Sequence, residues 1–264
     1  MKLTIRLIII FLLLNIVLGA GFYFLQEKLI FYPSRLDKNY AYCFDQSFEE
    51  LYIPTKDGKQ LNALLFRSDS AKGLILYVHG NAGALDSWGG LASFYTGLGY
   101  DVLFFDYRGY GKSEGSIGSQ EQLFDDVQSV YDKMAQQYAE DKIVVLGFSI
   151  GTCPAAKLAC DNNPRMLILQ APYHDLTGVI KDICPIVPSF LIRYKMETYK
   201  YVQKTKAPIV IFHGNQDNVI AYSNSEKLSK ELKDSDVFIT LDGIGHRGIT
   251  ENGVYREKLS KILE

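Results

Sequence analysis

Paired cysteines, histidine clusters and charge of one sign are all missing from this chain. Its four cysteines, Cys43, Cys153, Cys160 and Cys184, are scattered with no CxxC pair, and four cysteines admit three disulfide pairings that spacing does not choose between. They read as small buried hydrophobes. There are only four histidines and no cluster at metal-ligand spacing, so no metal site is expected, zinc included. Lys and Arg number 28 against 30 Asp and Glu, a net charge of −2 with no long run of one sign. That distribution argues against nucleic acid as a partner. Hydrophobic residues make up 47% and charged residues 22% of the 264. Such values exclude a disordered, collagen-like or disulfide-stapled chain and leave room for one large domain or two small ones.

What is present begins at the amino terminus. Leu7 to Leu25 is a 19-residue run in which Asn15 is the one strongly polar side chain, preceded by Lys2 and Arg6. As a helix it would span about 28 Å at about 1.5 Å per residue, close to the hydrocarbon thickness of a bilayer. Fourteen of its residues are Leu, Ile, Val or Phe, each favouring insertion by about 0.3–0.6 kcal/mol at a helix centre. A cleaved signal peptide is the competing reading, because Leu18-Gly19-Ala20 ends in small residues. The run, however, continues through Phe22-Tyr23-Phe24-Leu25, longer than the usual apolar region of a signal peptide. Residues 1–26 are therefore expected to be a transmembrane anchor, with Tyr23, Phe31 and Tyr32 at the interface on the exit side. Lys2 and Arg6 favour a cytoplasmic tail and a non-cytoplasmic domain, against the pull of Lys28, Arg35 and Lys38. Setting aside Lys2 and Arg6 leaves 26 basic against 30 acidic residues, a net −4, so the remainder gives little electrostatic help on anionic lipid.

Past Pro33 the chain alternates strand and helix patterns. Phe48–Ile53 and Gln60–Phe66 flank Lys56-Asp57-Gly58, a hairpin signal. Short apolar runs follow at Leu74–Val78, Val102–Phe105, Ile143–Leu146, Met166–Leu169, Ile209–Phe212 and Val237–Leu241, with helical segments such as Gln120–Tyr138 and Ser223–Lys233 between them. This pattern predicts an α/β domain over residues 27–264, a mostly parallel sheet covered by helices on both faces. Ligands bind such sheets beyond the carboxyl ends of the strands. The segment 171–208, with Pro172, Pro185, Pro188 and an apolar stretch Ile183–Ile192, breaks the rhythm and reads as a cap-like insertion.

Gly-x-Ser-x-Gly occurs twice, and context separates the copies. Gly147-Phe148-Ser149-Ile150-Gly151 directly follows an apolar strand and opens onto a helix start at Ala155-Ala156-Lys157-Leu158-Ala159. That arrangement would hold a serine hydroxyl out at the sheet edge, with glycines where the sharp turn leaves no room. Gly111-Lys112-Ser113-Glu114-Gly115 lies in a loop with no helix behind it, so Ser113 reads as a loop residue. The same loop nearly spells a phosphate-binding motif, but its first glycine is Asp106, and no nucleotide site is expected.

A serine nucleophile needs a base within hydrogen-bonding reach and an acid to orient that base. His79 and His213 each precede glycine at a strand end and read as turn residues. His174, beside Asp175, reads as a loop polar residue. His246, in Gly243-Ile244-Gly245-His246-Arg247-Gly248 after the final strand, is the expected base. Asp217, after the Ile209–Phe212 strand, is the expected acid, since Asp242 lies too near His246 and Asp175 one strand too early. The backbone N–H of Ile150 and that of Asn81 or Ala82, in His79-Gly80-Asn81-Ala82-Gly83, are the expected oxyanion donors. This chemistry needs no metal or organic cofactor.

Taken together, Leu74–Gly83, Asp106–Ser113, Gly147–Gly151, His213–Asp217 and Gly245-His246 resemble an α/β-hydrolase. The resemblance is nearest to membrane-anchored α/β-hydrolase-domain proteins akin to the acyl-protein depalmitoylases and the prolyl-oligopeptidase-like hydrolases. It implies an α/β-hydrolase fold and a Ser149–Asp217–His246 triad. It also implies ester or thioester cleavage through an acyl-enzyme, with a small-molecule, lipid-like or protein-borne acyl group as substrate. A prolyl-oligopeptidase-like peptidase and a non-catalytic binding protein on the same fold are the rival expectations.

Overall fold

The computed structural model describes residues 2–264; Met1, first residue of the expected anchor, lies outside them. Helix α1 (Lys2–Ile30) takes in the whole apolar run and projects its side chains outward, Phe11, Leu18 and Phe24 each being more than half exposed. Among the described residues it is the one helix long and apolar enough to cross a membrane. After it come β1 (Tyr32–Pro33), β2 (Phe48–Pro54), β3 (Gln60–Phe66), β4 (Leu74–Val78) and β5 (Ala82–Gly83). Short helices α2 (Leu85–Trp88) and α3 (Ala92–Gly97) lead to β6 (Asp101–Phe105) and α4 (Gln120–Ala135). Then follow β7 (Ile143–Phe148), α5 (Thr152–Asp161), β8 (Met166–Gln170), α6 (Leu176–Ile183) and α7 (Thr198–Val202). The chain closes with β9 (Ile209–Gly214), α8 (Ser223–Leu228), β10 (Val237–Leu241) and α9 (Gly253–Leu263).

Eight strands form one sheet in the order β2-β3-β6-β4-β7-β8-β9-β10. The hairpin β2–β3 and the β3–β6 pair are antiparallel, and every other pair in it is parallel. Because strand side chains alternate faces, each continuous apolar run divides between two cores. Ile143 and Val145 of β7 join Leu76 and Leu103 under α4 and α5, while Val144 and Leu146 join Tyr77 and Phe104 under α3 and α9. Helix α4 buries Leu123, Val127, Val130, Tyr131 and Met134 at helical spacing on one face. Ser119 caps its start by accepting from the Gln122 N–H.

The segment 171–208 is divided. Tyr173, Tyr194, Met196 and Val202 are buried in the core on the α5 side of the sheet, whereas Ile183, Ile186 and Phe190 stand exposed. The cysteines are free, and only Cys153 is fully buried; Cys43 is exposed, against the expectation of four buried hydrophobes. A Cys43 side chain outside the core follows from its place in the irregular chain between β1 and β2.

Candidate active site

The parallel strands all end on one edge, and the loops leaving β4, β7, β9 and β10 meet there. Leaving β7, the chain turns directly into α5 through Ser149–Gly151. Ser149 is held at φ 53°, a left-handed conformation that side chains other than glycine rarely adopt. The flanking glycines are sterically required: a Cβ on Gly147 would lie 2.7 Å from the Ala155 Cβ, and one on Gly151 would lie 2.2 Å from the Val78 carbonyl oxygen. Tyr173 braces the turn by donating its hydroxyl to the Ile150 carbonyl at 3.1 Å.

The structure brings Ser149, His246 and Asp217 together. His246 Nε2 lies 3.0 Å from Ser149 Oγ, and His246 Nδ1 lies 2.7 Å from Asp217 Oδ2. With Nδ1 donating to a carboxylate, the Nε2 lone pair faces the hydroxyl, the arrangement a general base requires. Asp217 is itself well held. Its Oδ1 accepts from the N–H groups of Val219 and Ile220, both at 2.8 Å, and its Oδ2 also accepts from His213 Nε2 at 3.1 Å. Burial alone would push this carboxyl up, but the bonds from His213 and His246 hold it well below the ordinary carboxylate range.

His213 is thus a neighbour of Asp217 as well as part of the turn that its sequence context suggested. It is fully buried, with Nδ1 2.6 Å from Ser225 Oγ and Nε2 close to both Asp217 and the Ile220 carbonyl. Two acceptors on Nε2 place the proton there, leaving Nδ1 to accept from the serine. The one available signal was its spacing, four residues before the acid. His174, by contrast, stacks on Tyr199 at 4.5 Å and contacts Asp175, which caps α6. Ser113 is buried away from His246, accepting from the Asn62 N–H and donating to the Asp106 carbonyl.

An open cleft of about 520 Å³ adjoins the triad, lined by Gly80, Asn81, Ala82, Trp88, Phe148 and His246 among others. Phe148 packs against both Trp88 and the His246 ring. The Ile150 N–H sits in the first turn after Ser149, where a helix has no acceptor of its own to offer. Asn81 and Ala82 line the cleft, and their loop owes its shape to an unforeseen partner. Tyr32–Pro33 of β1, directly after α1, pairs in parallel with Ala82–Gly83 of β5. Tyr32 N–H donates to the Asn81 carbonyl at 2.9 Å, Ser34 N–H to the Gly83 carbonyl at 3.1 Å, and Asn81 Nδ2 to the Ile30 carbonyl at 3.2 Å. Behind the loop, buried His79 and Asp106 face each other at 3.6 Å. Burial lowers the His79 pKa to about 4, so its ring is neutral near pH 7, and burial also pushes the Asp106 carboxyl up.

A mostly parallel sheet with an antiparallel hairpin at one edge and a strained serine between strand and helix defines the α/β-hydrolase class. The histidine on the loop after the last strand completes that description. Comparison with known proteins agrees. Residues 69–195 match the family model described as serine aminopeptidase, S33, and residues 191–232 match a second model, BD-FAE. The α/β-hydrolase domain-containing protein 17B of Xenopus tropicalis is 28% identical over 236 residues, covering 87% of this chain and 80% of that protein. An uncharacterised protein of Mycobacterium tuberculosis is 28% identical over 228 residues, with coverages of 84% and 80%. Among solved structures, an esterase of Pyrococcus furiosus superposes with a TM-score of 0.67 at 18% identity, covering 89% of this chain and 95% of its own. The chain has the α/β-hydrolase fold and is similar in sequence to α/β-hydrolase-domain proteins.

Proposed function

We propose that the protein is a membrane-anchored serine hydrolase that cleaves ester or thioester bonds through an acyl-enzyme, with Ser149, His246 and Asp217 as its triad. The observation carrying this is the unbroken chain of contacts from Ser149 Oγ through His246 to Asp217, built on the strained elbow. His246 takes the Ser149 proton as Oγ attacks the acyl carbon, and the resulting imidazolium is stabilised by Asp217. The negative charge on the former carbonyl oxygen is received by the N–H of Ile150 and by that of Asn81 or Ala82. The tetrahedral species collapses, and His246 returns its proton to the departing alcohol or thiol. Water, deprotonated by the same histidine, then releases the acid. Helix α1 serves as the anchor, which puts acyl groups of lipids or of acylated proteins within the reach of the cleft.

The experiment is direct. Detergent-extracted full-length protein is treated with a fluorophosphonate probe, then assayed on p-nitrophenyl esters of increasing acyl length and on aminoacyl nitroanilides. Labelling at Ser149 with ester turnover is the expected result. Folded protein that does not label would establish a binding protein instead. Nitroanilide turnover exceeding ester turnover would favour the peptidase reading raised by the serine aminopeptidase match.

A further inference from the structure

The three most exposed large apolar side chains among the described residues are not in α1. They are Ile183, Ile186 and Phe190, at 79%, 87% and 81% exposure, on the last residue of α6 and in the link from it to α7. The ten residues Ile183 to Ile192 carry no charge, and are bounded by Lys181 and Asp182 on one side and Arg193 on the other.

This link is fastened along α1. Arg193 and Tyr194 both meet Glu27, at 2.9 Å each. Gln26, buried although polar, donates to the Leu191 carbonyl at 2.7 Å and accepts from the Arg193 N–H at 2.8 Å. Farther up the helix, Leu191 Cδ1 comes within 3.3 Å of the position a Cβ on Gly19 would occupy. From Glu27 to Gly19 the helix climbs about 12 Å. Relative to the apolar span ending at Leu25, Gly19 lies about 9 Å inside, and Leu191 is at its level. Phe190, next to Leu191 in the chain, stands exposed, as does Ile186 five residues earlier.

Part of the link's backbone is paired as a low-dielectric setting favours, since unpaired N–H groups are costly there. Pro185 and Pro188 have no N–H to satisfy. The N–H groups of Cys184, Val187, Leu191 and Ile192 each find a carbonyl nearby, those of Ile186, Ser189 and Phe190 find none among the described residues, and Gln26 occupies the Leu191 carbonyl. Arg193, over the Tyr23 ring at 5.4 Å, stands where a cationic head would reach back to the interface.

We propose that the Ile183–Leu191 link is a second lipid-contacting surface, inserted among the acyl chains of the leaflet through which α1 enters the domain. The proposal rests on the reading of α1 as a membrane span. Its partner is the bilayer, and lipid rather than protein covers Ile183, Ile186 and Phe190.

The test uses full-length protein in phosphatidylcholine vesicles, with tryptophan introduced as Ile186→Trp, as Phe11→Trp within α1, or as Val237→Trp on the edge strand β10. Emission from native Trp88 is subtracted using the unmodified protein, and quenching by lipids brominated along their chains is measured. The expected result is about twofold or greater quenching of Ile186→Trp, strongest with bromines near the glycerol end, strong quenching of Phe11→Trp and none of Val237→Trp. Quenching of Phe11→Trp without quenching of Ile186→Trp would overturn the proposal while leaving the anchor in place. Absence of quenching at Phe11→Trp would overturn the anchor reading itself, and the proposal with it. An Ile186→Trp signal shielded from aqueous iodide yet untouched by bromolipid would mean that protein covers the link, and would also overturn it. Phe190→Trp repeats the measurement at a second exposed position.

Discussion

Replacing Asp217 by Asn tests the triad by its hydrogen-bond logic. The carboxylate has four partners on two oxygens: the Val219 and Ile220 N–H groups on Oδ1, and His246 and His213 on Oδ2. An asparagine amide has one acceptor end. Two rigid backbone donors claim that end, so the carbonyl oxygen takes the Oδ1 position and the NH₂ the Oδ2 position. The amide then presents N–H to His246 Nδ1, which must accept. The imidazole proton is thereby forced onto Nε2, pointing at Ser149, and the base is lost with the fold intact. A wrong tautomer at such a site lowers kcat by about 10⁴, equivalent to about 5.5 kcal/mol at about 1.36 kcal/mol per decade. The assay is p-nitrophenyl butyrate hydrolysis at pH 7.5 in detergent, with fluorophosphonate labelling rate as a second readout and circular dichroism to check folding. A folded Asp217→Asn protein retaining more than about a tenth of kcat would refute both the acid's assignment and the tautomer argument.

Three further outcomes are expected. Ser149→Ala abolishes ester turnover, whereas Ser113→Ala keeps most of it but lowers Tm, since its buried hydroxyl joins Asn62 to Asp106 and such a loss costs about 1–3 kcal/mol; an inactive, fully folded Ser113→Ala would reverse the choice of nucleophile. Asp217, with its folded pKa depressed, contributes stability that is complete above the unfolded value of about 4 and is lost as pH falls towards the folded value. The Tm gap between wild type and Asp217→Asn should therefore be constant from pH 5 to 7 and narrow only below about 4; a gap already shrinking at pH 6 would contradict the assignment. Deleting residues through Leu25 leaves soluble-ester hydrolysis near wild type, while deleting through Ser34 lowers kcat more than it changes KM, because β1 no longer shapes the Asn81–Gly83 loop. Equal kinetics for the two truncations would remove that loop's dependence on β1.

The legible parts of this chain were those where one residue type can satisfy only one environment. Runs such as Leu74–Val78 are apolar throughout because both faces of a central parallel strand are covered, and the sheet followed from them. Their ends were harder to see. β7 continues through Gly147-Phe148 and β9 through His213-Gly214, where the ladder persists although the side chains are no longer aliphatic. In the same way, Ser223–Lys233 reads as one helix but tightens after Leu228 into a 3-10 turn. Two copies of one serine motif could be told apart because a strand and a helix flank only Ser149. His213 is legible in part: it does shape the turn after β9, through the Ile220 carbonyl, but a histidine before glycine gives no sign that it also touches Asp217. β1 could not be read, since its two residues have no periodicity to detect. In the apolar stretch Ile183–Ile192, composition alone says nothing of direction: Ile192 is buried and Ile186 is bare.

The two-residue ladder between β1 and β5 has a mechanical consequence. Only Phe31 separates the end of α1 from the strand that grips the loop beside the cleft, and Phe31 is itself buried against Tyr194. Helix, ladder and cleft are therefore joined through a single buried residue, which leaves no room for the slack of a flexible linker. On an α1 set in a bilayer, the serine hydroxyl stands at a constant altitude above the surface. Under the proposed function, such a hydrolase would measure its substrates with a ruler, sparing a bond held too deep or too far out, and lengthening the connection between Ile30 and Tyr32 would change which bonds it reaches.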